Sequence, residues 1–260
     1  GEVITARWAY EALAVYQFKN NAYQQPLYPY DKVISQADFS KNYWITRLQN
    51  KVSYIQRHLD DTSNQKQIET NLALLREEIA GEMQSPSSRL VQFQSLDQLR
   101  PGGLEKQTLR ELEDYLKVLR RYYIKLYNKA TEKKDAMMAS MQDGTKGKNN
   151  LLHLRRNHYN EKLADFVTNS EEMNRIIEYK GELVQKIDPV FKDPEYPFVK
   201  AHFYAPRKQL FGRYYPTFWV NMLVIWAMSL LLYLALSRRW LRRLIDFAER
   251  RRYAQVKKSR

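Results

Sequence analysis

Twenty consecutive residues near the end of the chain, Thr217 to Leu236, carry no charge. They read TFWVNMLVIWAMSLLLYLAL, with Thr217, Asn221 and Ser229 as the clearly polar members. A helix rises about 1.5 Å per residue, so such a run measures about 30 Å, the thickness of a bilayer's hydrocarbon core. Lipid offers the backbone no water, and a single segment satisfies its own N–H and C=O groups there only as a helix. Tyr214, Tyr215 and Trp219 flank one end, and Tyr233 and Trp240 the other, where an aromatic belt meets the two interfaces. The competing reading is a buried core helix, and the flanks decide against it.

Beyond the run, residues Arg238 to Arg260 hold ten Lys or Arg against two acids, so that more than half of the chain's net charge of +14 sits in its last tenth. Basic residues concentrate on the cytoplasmic side of a span, which places this tail inside and residues 1–216 outside. Leu241, Leu244, Ile245 and Ala248 recur at helical spacing, so the tail is read as lying along the inner headgroups. Arg238, Arg239, Arg242 and Arg243 would meet anionic lipid there. A solvated basic helix is the plainer alternative. The juxtamembrane position already accounts for the charge, so no nucleic-acid partner is expected.

Mean hydropathy over the whole chain is −0.66, which fits a polar domain tethered by one apolar segment. The absence of cysteine excludes disulfides and thiol chemistry, and four scattered His make a zinc site unexpected. Nineteen Tyr against eight Gly and nine Pro suggest a helical protein with amphipathic aromatic surfaces. The chain begins at Gly1 without a signal peptide, so further sequence is expected upstream to carry residues 1–216 across the membrane.

Along residues 1–20, Ile4, Trp8, Ala12, Val15 and Tyr16 share a helical face, which predicts an amphipathic helix at the outer interface. Arg7 and Glu11 fall off that face, four residues apart and able to pair. AYQQPLYPYDK reads as a loop. Trp44, Leu48, Val52, Ile55 and Leu59 predict a helix over 38–59, and Ile68, Leu72, Leu75, Ile79 and Met83 another over 65–83, the two forming a helical hairpin about the turn 60–64. Residues 84–103 break helicity, with a short extended piece over Leu90–Phe93. Leu109, Leu112, Leu116, Leu119, Tyr123 and Leu126 then alternate three and four steps, a coiled-coil-like seam. The turn 143–150 and a returning helix through Leu151, Leu154, Tyr159, Leu163 and Phe166 complete a long antiparallel hairpin. Thr168-Asn-Ser-Glu171 has capping-box form and predicts a further helix through Ile176, Ile177 and Leu183 to Ile187. Five prolines between Pro189 and Pro216 exclude a long helix before Lys200.

The expected fold class is therefore all-α: a helical extracytoplasmic domain with a long antiparallel hairpin, plus one C-terminal transmembrane helix. Its divisions are an interfacial helix over 1–20, the external domain over 21–216, the span over 217–236 and a basic cytoplasmic tail over 237–260.

The sequence carries none of the common catalytic patterns. Gly144-Thr-Lys-Gly147 lacks P-loop spacing, and neither HExxH nor a nucleophile elbow occurs. The adjacent acids Glu77/Glu78 and Glu171/Glu172 would point about 100° apart on a helix, as solvated faces do. His153 and His158 share no face well enough to chelate, and Tyr115, Tyr122, Tyr123 and Tyr127 read as seam and surface rather than a ligand site. No catalytic, cofactor-binding or metal residue is expected in this segment.

Arg7-Trp8-Ala9-Tyr10-Glu11-Ala12-Leu13 resembles the R-[YW]-x-[FY]-E-x-[LM] stretch that follows the fifth span of ABCG-type ABC exporter permeases. The order amphipathic helix, external region, terminal span and short basic tail matches as well. RWAYEALAVYQFKNN, the stretch from DFVTNS to QKIDP, and KAHFYAPRKQLFG before the span look like the C-terminal third of large Bacteroidota ABC transporters, with a nucleotide-binding domain fused ahead of an ABC-2-type membrane domain. The resemblance implies a dimeric, ATP-driven transporter of the bacterial inner membrane, with residues 1–216 periplasmic. ATP and Mg would belong to the upstream nucleotide-binding half, because this chain has no Walker or signature motif. Partners implied are the bilayer, the protein's own upstream regions and a periplasmic protein. Arg7, Trp8, Glu11, Trp219, Tyr233 and Trp240 would mark the interfaces. Asn221 and Ser229 would pack against protein within the span, Asn221 either bonding a neighbouring helix or touching substrate. ABCG proteins have a much shorter external loop here, so the large external region is unexplained by them. The alternative is a single-span anchor for a helical scaffold that binds an envelope partner.

Overall fold

A computed structural model of the chain describes residues 4–84, 92–142, 147–194 and 201–238. The tail residues Arg239, Trp240, Arg242 and Arg243 lie outside the described residues, as do the first two residues of the segment Leu90–Phe93. The chain forms two units, one of residues 17–193 and one that joins residues 1–16 to residues 194–260.

The larger unit is helical at its centre. Helix α2 (Tyr28–Phe39) starts inside the stretch read as a loop, because Pro29 sits in its first turn, where a missing N–H costs nothing. It runs through a π-helical turn, Ser40–Trp44, into α3 (Ile45–His58). The extra residue in a π turn rotates the following stripe, so that Ile45, Leu48, Val52 and Ile55 all point into the core. A 3₁₀ turn, Thr62–Asn64, leads to α4 (Gln65–Glu82), which packs on α3 as the expected helical hairpin. Helix α5 (Lys106–Gln142) runs 37 residues, packs on α2 and α3, and buries Leu109, Leu112, Leu116 and Leu119 in the core they share with α3 and α4.

The returning helix is in two pieces, α6 (Gly147–His158) and α7 (Glu161–Thr168), with α6 packed on α5. Helix α6 starts within the span of residues read as a turn. The break falls at Asn160, whose side chain leaves the helix to accept the amide of Leu163 at 3.0 Å as the cap of α7.

Two features depart from all-α. Thr168 ends α7 rather than opening a helix: Asn169 follows in the left-handed conformation of a C-cap, with φ of 53°. Strands β1 (Ile176–Tyr179) and β2 (Glu182–Gln185) then pair antiparallel about the two-residue loop Lys180–Gly181, both at positive φ. This is the primed turn that suits the strand twist. Ile176 joins the core, and Leu183 N–H donates to Glu78 Oε1 at 2.6 Å, which sets the ribbon on α4. In the smaller unit, β3 (Arg207–Leu210) and β4 (Arg213–Pro216) pair in the same way about Phe211–Gly212.

Helix α8 (Thr217–Ser237) is long and apolar enough to cross a membrane. Only Thr217, Val220 and Asn221 are buried, one face of its first turns, while Trp226, Leu230, Tyr233 and Leu236 stand exposed. A core helix of a soluble protein would be covered; this one is 11% buried over its apolar window.

Leu75 lies fully buried at the centre of the α3–α4–α5 core. Leu75→Ala is expected to destabilise the larger unit by about 2–5 kcal/mol, the transfer term plus the cavity it leaves. Denaturant unfolding of the full chain, followed by helical circular dichroism, checks this.

Candidate functional site

Helix α1 (Thr5–Asn20) buries Trp8, Glu11, Ala12, Val15 and Phe18, which recur at three- and four-residue steps. An acid therefore stands in the middle of an apolar stripe. Glu11 is fully buried and does not pair with Arg7. Its Oε2 accepts from Lys208 Nζ of β3 at 2.8 Å and from Asn221 Nδ2 of α8 at 2.9 Å. The same Asn221 amide donates to the Trp8 carbonyl at 3.0 Å. Both of its partners are acceptors, which fixes the amide's orientation. Lys208, only 2% exposed as a side chain, also sits 4.4 Å above the Trp8 ring.

Arg7 takes a different role. Its guanidinium lies 5.3 Å from the Trp8 ring and 5.6 Å from that of Phe203. Tyr10 stacks on Phe203 at 6.3 Å, and burial with a hydrogen bond to Tyr10 pushes the Tyr204 hydroxyl up to about 12. Thr217 closes the arrangement by donating its hydroxyl to the Ala205 carbonyl, and its N–H reaches the Pro206 carbonyl at 3.4 Å. The head of α8 is thus docked by hydrogen bonds as well as by packing, including Tyr16 against Phe218 at 4.8 Å.

Removing an acid and an amine from water costs several kcal/mol per ion, repaid only when geometry and extra hydrogen bonds are good. Here the repayment is incomplete among the described residues, where Glu11 Oε1 and Asn221 Oδ1 are buried acceptors without a donor. The cluster is a tie among α1, β3 and α8. Of the other expected interface residues, Trp219 and Tyr233 are exposed on α8, as is Arg238 at its end, and Ser229 is exposed in this chain as well. Among the described residues no group of three His, Cys, Asp or Glu could hold a metal.

The larger unit carries an open cavity of about 550 Å³, lined by Tyr23, Asp31, Asp38, Lys134, Arg155 and Tyr159 among others. Lys134 closes on Asp31 at 2.6 Å. Asp188, also on its wall, is pushed above its ordinary value by burial, against the Ser35 hydroxyl that donates to it at 2.7 Å. Tyr127 lines the same cavity, whereas Tyr115 is a core residue packed on Phe93, its hydroxyl pushed up to about 12 by burial. Tyr123 donates to Glu82 at 2.7 Å, as a seam residue would. No protein-family model, curated protein or solved structure matches this chain.

Two outcomes follow. Glu11→Gln or Lys208→Met alone leaves an uncompensated buried charge and should cost about 3–5 kcal/mol, whereas the double variant should recover most of that loss. A double-mutant cycle on unfolding free energy reads the difference. For Asp188, the folded state holds the proton more tightly than the unfolded chain, with its ordinary value of 3.8. Its contribution is complete below that pH and is lost as pH rises through the native value. Asp188→Asn should therefore gain stability relative to the parent as pH rises from acid toward neutral, and a pH-independent difference would contradict this.

Proposed function

We propose that this chain is the closing segment of the membrane domain of an ATP-driven exporter similar to ABCG-type permeases, with residues 17–193 forming an external helical domain. One observation carries the reading. The helix that holds the RWAYEAL stretch is bonded to the apolar helix through Glu11 and the Trp8 carbonyl, both meeting Asn221. An amphipathic helix so tied to a span moves with it, and a transporter needs such linkage to pass changes in its spans to an external gate. In this reading Asn221 serves helix–helix bonding rather than substrate contact. The exposed apolar surface of α8 is what lipid and neighbouring spans would cover. ATP and Mg would bind the nucleotide-binding half, and the active unit would be a homodimer in a bacterial inner membrane.

A scaffold reading is favoured by the 37-residue α5, long enough to hold a partner away from the bilayer. The source reading frame separates the two: the exporter requires Walker motifs and further spans ahead of residue 1, and their absence would leave only the scaffold. Topology is testable because the chain has no native cysteine. Ser63→Cys should react with a membrane-impermeant maleimide in intact spheroplasts, and Ser259→Cys only after lysis. The reverse pattern overturns both readings.

A further inference from the structure

The β3–β4 ribbon ends in Phe211–Gly212, and β1–β2 ends in Lys180–Gly181, the same two-residue loop with both residues at positive φ. Asn, Asp and Gly fit that conformation, while a side chain branching into an aromatic ring strains it. In the larger unit the position carries a solvated Lys. In the smaller one it carries Phe, at φ 49° and 89% exposed. Strand β4 continues the pattern, being exposed along its whole length, with Tyr214 and Tyr215 on opposite faces and each more than 40% open. A two-stranded ribbon covered on neither side of its outer strand has little reason to be aromatic in water.

Its position supplies the reason. Pro216 pairs with Arg207 at the base of the ribbon, and Thr217 begins α8 at the next residue. A four-residue strand spans about 13 Å. Whatever its tilt, the tip therefore stays within about that distance of the point where the apolar helix starts, and the headgroup layer is itself about 5–8 Å deep. Arg207 lies 4.3 Å over the Tyr214 ring, and Arg213 is exposed beside the tip. Cations held among amphipathic rings are the chemistry that phosphate headgroups and the acyl boundary accept together.

We propose that the β3–β4 ribbon is a membrane-seating element: Phe211 enters the headgroup–acyl boundary of the outer leaflet, Tyr214 and Tyr215 rest at headgroup depth, and Arg213 meets lipid phosphate. The inference rests on reading α8 as a span.

The test uses the full chain in nanodiscs of phosphatidylcholine and phosphatidylglycerol, with nitroxide labels at Phe211→Cys, Leu230→Cys and Ser63→Cys. Collision with dissolved oxygen is compared with collision with a water-soluble nickel chelate. The label at 230 should favour oxygen strongly, that at 63 should favour the chelate, and that at 211 should favour oxygen at a depth between them. A label at 211 that matches 63, while 230 reports lipid, overturns the ribbon's role and leaves the span intact. A label at 230 that reports water removes the span, and the ribbon's role with it. A second variant separates seating from folding. Phe211→Asn suits the positive φ, so stability in detergent should hold or rise, yet a label at Tyr215→Cys should lose oxygen contact when Asn replaces Phe211. An unchanged signal at 215 overturns the proposal.

Discussion

A carboxylate and an ammonium shut away from water together can stay charged only while neither moves. Glu11 and Lys208 impose that condition on the unit that holds α8. Lys208 fixes β3 against α1, and Asn221 fixes the first turns of α8 on the same carboxylate. The Trp8 ring lies across the ammonium and excludes water from it. Displacing any one of these elements would strand a charge in an apolar site, which costs more than a lost surface contact. Glu11 Oε1 and Asn221 Oδ1, without a donor among the described residues, keep the tie from being as strong as its distances suggest.

The apolar helix was legible because length and absence of charge are local properties that no tertiary contact can disguise. Helices α3, α4 and α5 were legible for the same reason, their Leu and Ile stripes repeating over several turns. The hairpins were not. Their loops are Lys-Gly and Phe-Gly instead of Asn-Gly, and each strand is four residues long, too short for alternation to outweigh the nearby helical spacing of Ile176, Ile177 and Leu183. Thr168-Asn-Ser-Glu171 has the letters of a cap at the wrong end of a helix; the left-handed Asn169 stops the chain before Glu171 can serve it.

Glu11 is the most instructive miss. Charge assigned it to the surface and to Arg7, a partner of convenient spacing. Periodicity said otherwise, because residue 11 falls three after Trp8 and four before Val15 on the face that turned out to be buried. When spacing and polarity disagree about a helical residue, a distant counter-charge is the reconciliation to look for. Lys208, inside a short Pro-bounded aromatic stretch, was that counter-charge.

The buried pair closes across 197 positions of sequence, whereas every residue of the larger unit's core lies between Phe39 and Ile187. The two therefore cannot mature together on the ribosome. At about 5–20 residues per second, on the order of 10–40 s pass between the synthesis of Glu11 and that of Lys208. Only in the last few seconds of that interval, about 1–4 s at the same rate, does the helical unit have all its core residues, and Lys208 still follows them. Lys208 and Asn221 are made only after every core residue of the larger unit, so burial of this acid is a late event, a mark that assembly is complete.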